Sequence, residues 1–129
     1  VEIAVAEDLP YPDERFDFAL MVTVVCFVDD LRRSLDEAYR ILKPGGALVV
    51  GFVPADSPLG KRYRKRKSKS KFYREATFYS VDSIRQAMEE SGFGGFEYKQ
   101  TLIDWPADSF SEAVDGFDKG GFVVIRGKK

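Results

Sequence analysis

A chain of 129 residues with one cysteine and no histidine has few ways to break bonds through its own side chains. Without histidine there is no Ser-His-Asp triad, no Cys-His dyad and no imidazole general base. A single thiol, Cys26, with no imidazole beside it also removes the zinc sites built from nitrogen and sulfur. A magnesium or calcium site made only of carboxylates stays open, although no stretch has the spacing of an EF-hand loop. Hydrolysis of the familiar kinds is disfavoured. Cys26 reads as a packing residue more than a nucleophile, because nothing is available to draw off its proton. Metal ligands are not expected.

The charge is concentrated. Net charge is −1, yet nine of the fourteen residues from Lys61 to Arg74, KRYRKRKSKSKFYR, are Lys or Arg. Three readings fit this run. It is a solvated helix face, as most charge runs are, or a lid over an anionic substrate that enters the ligand rim. In the third, its cations touch phosphates while Tyr63, Phe72 and Tyr73 stack on bases, the least favoured of the three. Arg62 and Tyr73 are its candidate substrate contacts. The adjoining FYREATFYS (72–80) is rich in aromatics and either packs on the sheet or meets substrate.

Composition sets the frame for these residues. With 44% hydrophobic and 32% charged residues, the chain is ordinary globular protein, enough for one domain spanning 1–129 with a basic insertion at about 56–79. No apolar run approaches the ~20 residues of a bilayer span, and no signal pattern opens it. One lone thiol fits a reducing, cytoplasmic setting. The first residue is Val1, so the natural start is expected upstream.

The pattern of apolar residues alternates between strand and helix signals. VEIAVA (1–6) is a short strand candidate, followed by a loop with two prolines. The nearly continuous apolar run 16–25 reads as a strand covered on both faces. A helix capped by Asp29 or Asp30 follows, with Leu31, Leu35, Ala38 and Leu42 on one stripe. Lys43 suits its carboxyl end, Pro44 stops it, and Gly45 and Gly46 turn the chain into a buried strand, 47–54. Ser80 caps a second helix with Val81, Ile84 and Met88 inward and Gly92 at its end. Segments 96–105 and 121–127 are further strands, joined by the acidic stretch 104–121, and Trp105 is expected to anchor the core. The order implies an α/β sheet, mostly parallel, with a closing antiparallel pair. Ligands bind such sheets beyond the carboxyl ends of the strands. That rim holds Ala6–Asp8, Thr23–Phe27 and Val53–Asp56. Cys26 and Phe27, in the loop after the second strand, are candidate substrate contacts. Glu7 either meets ligand or caps a loop, and Asp17 serves strand entry.

Two blocks go further. Ala6-Glu7-Asp8-Leu9-Pro10-Tyr11 leading to Phe16-Asp17, and Arg40-Ile41-Leu42-Lys43-Pro44-Gly45-Gly46, resemble the second half of class I S-adenosylmethionine-dependent methyltransferases. The resemblance is strong from Val1 to about Phe52 and agrees in layout beyond. It implies a Rossmann-like methyltransferase sheet of strand order 3-2-1-4-5-7-6, of which this chain would supply the C-terminal half. It implies S-adenosylmethionine as cofactor, with Ala6 and Glu7 against the adenine and Thr23 and Val24 lining the methionine side. Many members carry Asp where this chain has Val5, and histidine where it has Cys26 and Phe27.

The family's glycine-rich cofactor loop is expected upstream of Val1. The one glycine cluster, 92–95, follows a helix and precedes a strand, the reverse of the required context. VEIAVA would then be an orphan third strand and 16–25 an unpaired edge, which invites a homodimer or a rearranged N-terminus. Methyl transfer from a sulfonium needs in-line positioning and no protein nucleophile, so the lack of histidine is compatible with it. The expected function is methyl transfer to a small-molecule acceptor, this chain alone being weak or inactive. The alternative is a non-enzymatic binding or assembly module that uses the edge strand and the basic segment.

Overall fold

Helix α1 (Leu31–Ile41) begins where Asp30 accepts a hydrogen bond from the Arg33 amide, and it buries Leu35, Ala38 and Ile41 on one stripe. The computed structural model describes residues 1–104 and 111–129. Around α1 lie β1 (Phe16–Val22), β2 (Leu42–Phe52), α2 (Pro58–Arg66), a 3-10 turn at Lys67–Lys69 and α3 (Val81–Glu90). Strands β3 (Gly94–Thr101), β4 (Val114–Asp115) and β5 (Phe122–Lys128) complete the chain. Trp105 lies outside the described residues.

The five strands form one mixed α/β sheet in the order β1-β2-β5-β3-β4. Its first four positions run as strands 4-5-7-6 of the methyltransferase order. Parallel pairing is confined to β1 and β2, and β5 enters antiparallel to both β2 and β3. The antiparallel β3–β5 pair is the closing pair that the order of elements implies.

Several boundaries differ from the sequence reading, and three of them have a plain physical cause. Residues 1–6 are not a strand: their one ladder contact is an isolated bridge from Val5 to Asp8, and Val1, Ile3 and Val5 are exposed. A strand is held by a hydrogen-bonding neighbour and a buried face, and among the described residues this segment has neither. Strand β1 stops at Val22 because Thr23 turns to φ 56°, which leaves the extended region. Leu42 opens β2 instead of closing the helix, and Lys43–Gly46 bulge out. There β1 advances from Phe16 to Phe18 while β2 advances from Leu42 to Ala47.

One face of the sheet carries the helices. Met21, Leu48, Val50, Phe52, Val123 and Ile125 pack there with Leu35 of α1 and with Ile84 and Met88 of α3. Each fully buried side chain of this kind contributes about 1.5–3 kcal/mol. The opposite face is open at β1, where Phe18, Leu20 and Val22 are 75%, 69% and 47% exposed. This packing aims the carboxyl ends of β1 and β2 at the same rim.

Candidate functional site

The rim is built around Thr23. Its amide donates to Gly51 O at 2.8 Å, which carries the parallel ladder one residue past β1, while its left-handed backbone redirects the chain. A β-branched residue in that region is strained. The loop then closes on itself. The Cys26 thiol donates to Thr23 O at 3.2 Å, and the Phe27 amide donates to Val24 O at 2.9 Å. Burial pushes the Cys26 thiol above its ordinary range, so it stays protonated, as a packing residue would.

A cleft of about 410 Å³ lies on the outer side of this loop, between Ala6 and Glu7 on one wall and Thr23 and Val24 on the other. All four residues assigned to the cofactor by resemblance therefore meet. Val5 and Val22 add apolar surface, and Asp29 sits at the rim. The Glu7 carboxylate is already occupied: Oε1 accepts from the Asp29 amide at 2.7 Å and the Asp30 amide at 3.2 Å. It caps the start of α1, and the Asp30 amide holds its carboxyl below the usual range.

A second cavity, of about 140 Å³, lies inward of the loop and is walled by rings. Cys26, Phe27 and Tyr73 line it with Tyr63, Phe72 and Phe78. Tyr63 and Tyr73 stack at 4.8 Å between centroids, and Phe27 meets Phe72 edge-on at 5.1 Å. Thr23, Phe27 and Phe72 line both spaces, so one wall separates them. Three of the four candidate substrate contacts thus come together. Arg62 does not: it is exposed and lines neither space. Of the β2 rim, Val53 lines the ring-walled cavity, whereas Asp56 faces a shallower cleft beside Ser80 and Asp118.

The basic segment is fastened over this cavity at both ends. Ser57 caps α2 by accepting from the Gly60 amide at 3.0 Å and donating to Pro54 O at 2.8 Å. At the return, the Thr77 amide donates to Cys26 O and the Ala55 amide to Tyr79 O, both at 2.8 Å. Pockets of this depth need rings from distant segments, so the aromatic run 72–80 was readable but its closure with Tyr63 and Phe27 was not.

Sequence reasoning missed the device that holds the proline-containing loop after Glu7. Arg40 donates to Tyr11 O at 2.7 Å and Leu9 O at 3.1 Å, while Glu37 accepts from the Leu9 amide at 2.8 Å. The signal was the i, i+3 spacing of Glu37 and Arg40 on α1. Among the described residues no cluster of three His, Cys, Asp or Glu could hold a metal ion.

Known proteins share this arrangement. A family model described as a methyltransferase domain matches residues 1–50. A crystal structure of an S-adenosylmethionine-dependent methyltransferase from Thermotoga maritima, named a possible histamine N-methyltransferase, superposes with a TM-score of 0.93 at 49% identity. The match covers 98% of this chain and 62% of that one.

The chain belongs to the class I S-adenosylmethionine-dependent methyltransferases.

An uncharacterized protein of Methanocaldococcus jannaschii is 40% identical over 131 residues, covering all of this chain and 63% of its own length. A ubiquinone/menaquinone biosynthesis C-methyltransferase of Rickettsia akari is 45% identical over 129 residues, covering 97% of this chain and 48% of its own length. The chain thus spans between about half and two-thirds of the length of these relatives. No helix among the described residues is long and apolar enough to cross a membrane.

Proposed function

We propose that the protein transfers a methyl group from S-adenosylmethionine to a small-molecule acceptor. In this reading the cofactor lies in the cleft at Ala6, Glu7, Thr23 and Val24, and the acceptor lies in the ring-walled cavity. The observation that carries it is the shared wall: Thr23, Phe27 and Phe72 border both spaces, so a donor and an acceptor would face each other across it. The cleft fits a flat, partly apolar cofactor, because Val5, Val22 and Phe27 offer hydrocarbon surface and the loop at Ala6 offers backbone. With Val5 at the position where many members carry Asp, and Glu7 committed to the α1 cap, adenine recognition here falls to backbone groups.

When bound, the cofactor supplies an electrophilic methyl group on a sulfonium. This chain's residues do the rest by orientation and water exclusion, which hold the reactants in line. The two named relatives differ in the atom they methylate, nitrogen in one name and carbon in the other, so the acceptor has to be read from this chain's own cavity. A cytosolic setting is part of the same proposal, consistent with the half-buried lone thiol.

The test is a thermal-melt titration of the full-length polypeptide with S-adenosylhomocysteine. At a hundred times its dissociation constant the ligand stabilises the native state by ~2.7 kcal/mol. A saturable rise in melting temperature supports the reading, and a cooperative melt with no shift overturns it.

A second reading has its own support in the open face of β1. Phe18, Leu20 and Val22 stand exposed beside an edge with no neighbour among the described residues, which suits pairing with a second copy or another assembly partner. Sedimentation equilibrium of wild type against Leu20→Lys tests it. A dimer that the substitution dissociates supports it, and a wild-type monomer at micromolar concentration counts against it.

A further inference from the structure

We propose that the acceptor is a single-ring aromatic molecule whose reacting oxygen or sulfur enters as the anion, a phenolate or an aryl thiolate. The inference rests on the methyl-transfer reading and narrows its acceptor class.

Size comes first. The ring-walled cavity measures about 140 Å³, close to the roughly 150 Å³ apolar cavity that takes up benzene. One aromatic ring with a small substituent fills it. The walls suit that shape. Tyr63 and Tyr73 stack nearly parallel, with 20° between their planes, while Phe27 and Phe72 stand edge-on at 69°. A further planar ring can therefore find both a face and an edge.

The second argument concerns the base. No Asp, Glu, Lys or His lines the cavity, and the groups that could titrate there are Cys26, Tyr63, Tyr73 and Tyr79. Burial raises the Cys26 and Tyr73 pKa values, so neither is ionised near neutrality. The lining thus offers no carboxylate, lysine or histidine to take a proton from an acceptor of high pKa during transfer. An acceptor that has already lost its proton to solvent avoids the need. Its lone pair forms the new bond to the methyl carbon as that carbon's bond to the sulfonium sulfur breaks, and the bonding pair stays on sulfur. The anion becomes a neutral ether or thioether, and no proton has to leave in that step.

The third argument is charge. Aromatic faces attract cations, so the rings alone would also welcome an amine. Here the surroundings oppose that. Arg66 and Lys67 follow Tyr63 by three and four residues, placing them on its side of the helical turn. Lys71 and Arg74 flank Phe72 and Tyr73 in sequence. Among the described residues, none of these four cations is ion-paired to a carboxylate. They put four positive charges within four residues of the lining rings Tyr63, Phe72 and Tyr73, around a cavity lined by no carboxylate. Their field repels an ammonium and favours a phenolate or thiolate.

The test uses para-nitrophenol, whose phenolate absorbs in visible light, with nitrobenzene as the uncharged ring and phenethylamine as the protonated amine. Each is titrated into the full-length polypeptide at low salt, and S-adenosylhomocysteine binding is followed calorimetrically in parallel. The expected result is that the phenol binds as its phenolate, about three- to tenfold tighter than nitrobenzene, with the preference falling as salt rises. The exposed-charge variant Arg66→Gln/Lys67→Gln should reduce that preference while leaving the melting temperature and nitrobenzene binding in place. Equal affinity for the phenol and nitrobenzene, tighter binding of the amine, or no binding of any ring overturns the proposal. The parallel arm separates the two readings. Phenolate preference without S-adenosylhomocysteine binding supports the anion site and counts against methyl transfer, whereas cofactor binding without phenolate preference does the reverse.

Discussion

Arg40 grips Glu37 at two points, Nε to Oε1 at 2.7 Å and Nη2 to Oε2 at 2.9 Å, while reaching past it to the Leu9 and Tyr11 carbonyls. One side chain thus ties the proline-containing loop, which leads out of the cofactor-side wall, to the helix that packs under the sheet. Arg40→Met removes the fork, leaves the Glu37 carboxylate with the Leu9 amide alone, and takes the Arg40 donor from the Leu9 and Tyr11 carbonyls and from Asp13. A loss of about 2–4 kcal/mol is expected in urea unfolding, together with faster proteolysis within residues 8–15. Unchanged stability would mean the latch is ornamental.

The same pair predicts a pH dependence. The Arg40 hydrogen bonds hold the Glu37 carboxyl at about 2, below its ordinary 4.5. A lowered folded-state pKa stabilises the native state above the unfolded value, and that contribution is lost as pH falls from about 4.5 towards 2. Glu37 is 18% exposed, so the term is worth roughly 1–3 kcal/mol after screening. Wild type should lose more stability than Glu37→Gln between pH 5 and about pH 2.5, as measured by paired unfolding curves.

Gly60 controls how the basic segment sits. A Cβ at this position would stand 1.9 Å from Pro54 O, a backbone atom that cannot rotate away. Gly60→Ala must therefore break the Ser57–Gly60–Pro54 junction and lift Tyr63 off Tyr73. Amide exchange in 61–79 should accelerate while exchange in β2 and β5 stays slow. Uniform acceleration of all strands would show that the segment is part of the main core instead.

Gln100 is buried and uses both ends of its amide. Oε1 accepts from the Lys119 and Gly120 amides, at 2.8 and 2.7 Å, and Nε2 donates to Asp118 Oδ1 at 3.1 Å. Gln100→Leu keeps the volume but orphans the buried Gly120 amide and the part-buried Lys119 amide, so a loss of about 1–3 kcal/mol is expected. A thermal melt within one degree of wild type would contradict this.

Thr23 carries a left-handed backbone that glycine adopts freely. Thr23→Gly should cost less than about 1 kcal/mol, since relieved strain offsets added chain freedom. If it weakens S-adenosylhomocysteine binding all the same, Thr23 positions ligand, whereas unaltered binding confines it to redirecting the chain.

Much of this molecule could be read from local signals. The caps at Asp30 and Ser80, the apolar stripes of α1 and α3 and the stop at Gly92 are set by residues within a few positions of one another, so the helices emerged close to their true bounds. The two family blocks, around Ala6–Tyr11 and Arg40–Gly46, depend on backbone turns and a helix end, which are also local, and they led to the fold and the cofactor class. Residues 1–6 failed as a strand for the converse reason. Their β-rich composition is local, but a strand exists only through a neighbour that composition cannot supply. The same holds for the acceptor side. Whether Phe27, Tyr63 and Tyr73 would meet depended on the seating of α2 through Ser57 and Gly60 and on the return of Thr77 to Cys26, contacts that join residues up to fifty positions apart. The sequence alone determined where α1 and α3 form and which chemistry is disfavoured. Only the tertiary structure decided that Glu7 caps a helix, that Arg62 stands outside the cavity and that one wall divides the cleft from the cavity, because each follows from long-range packing with no local signature.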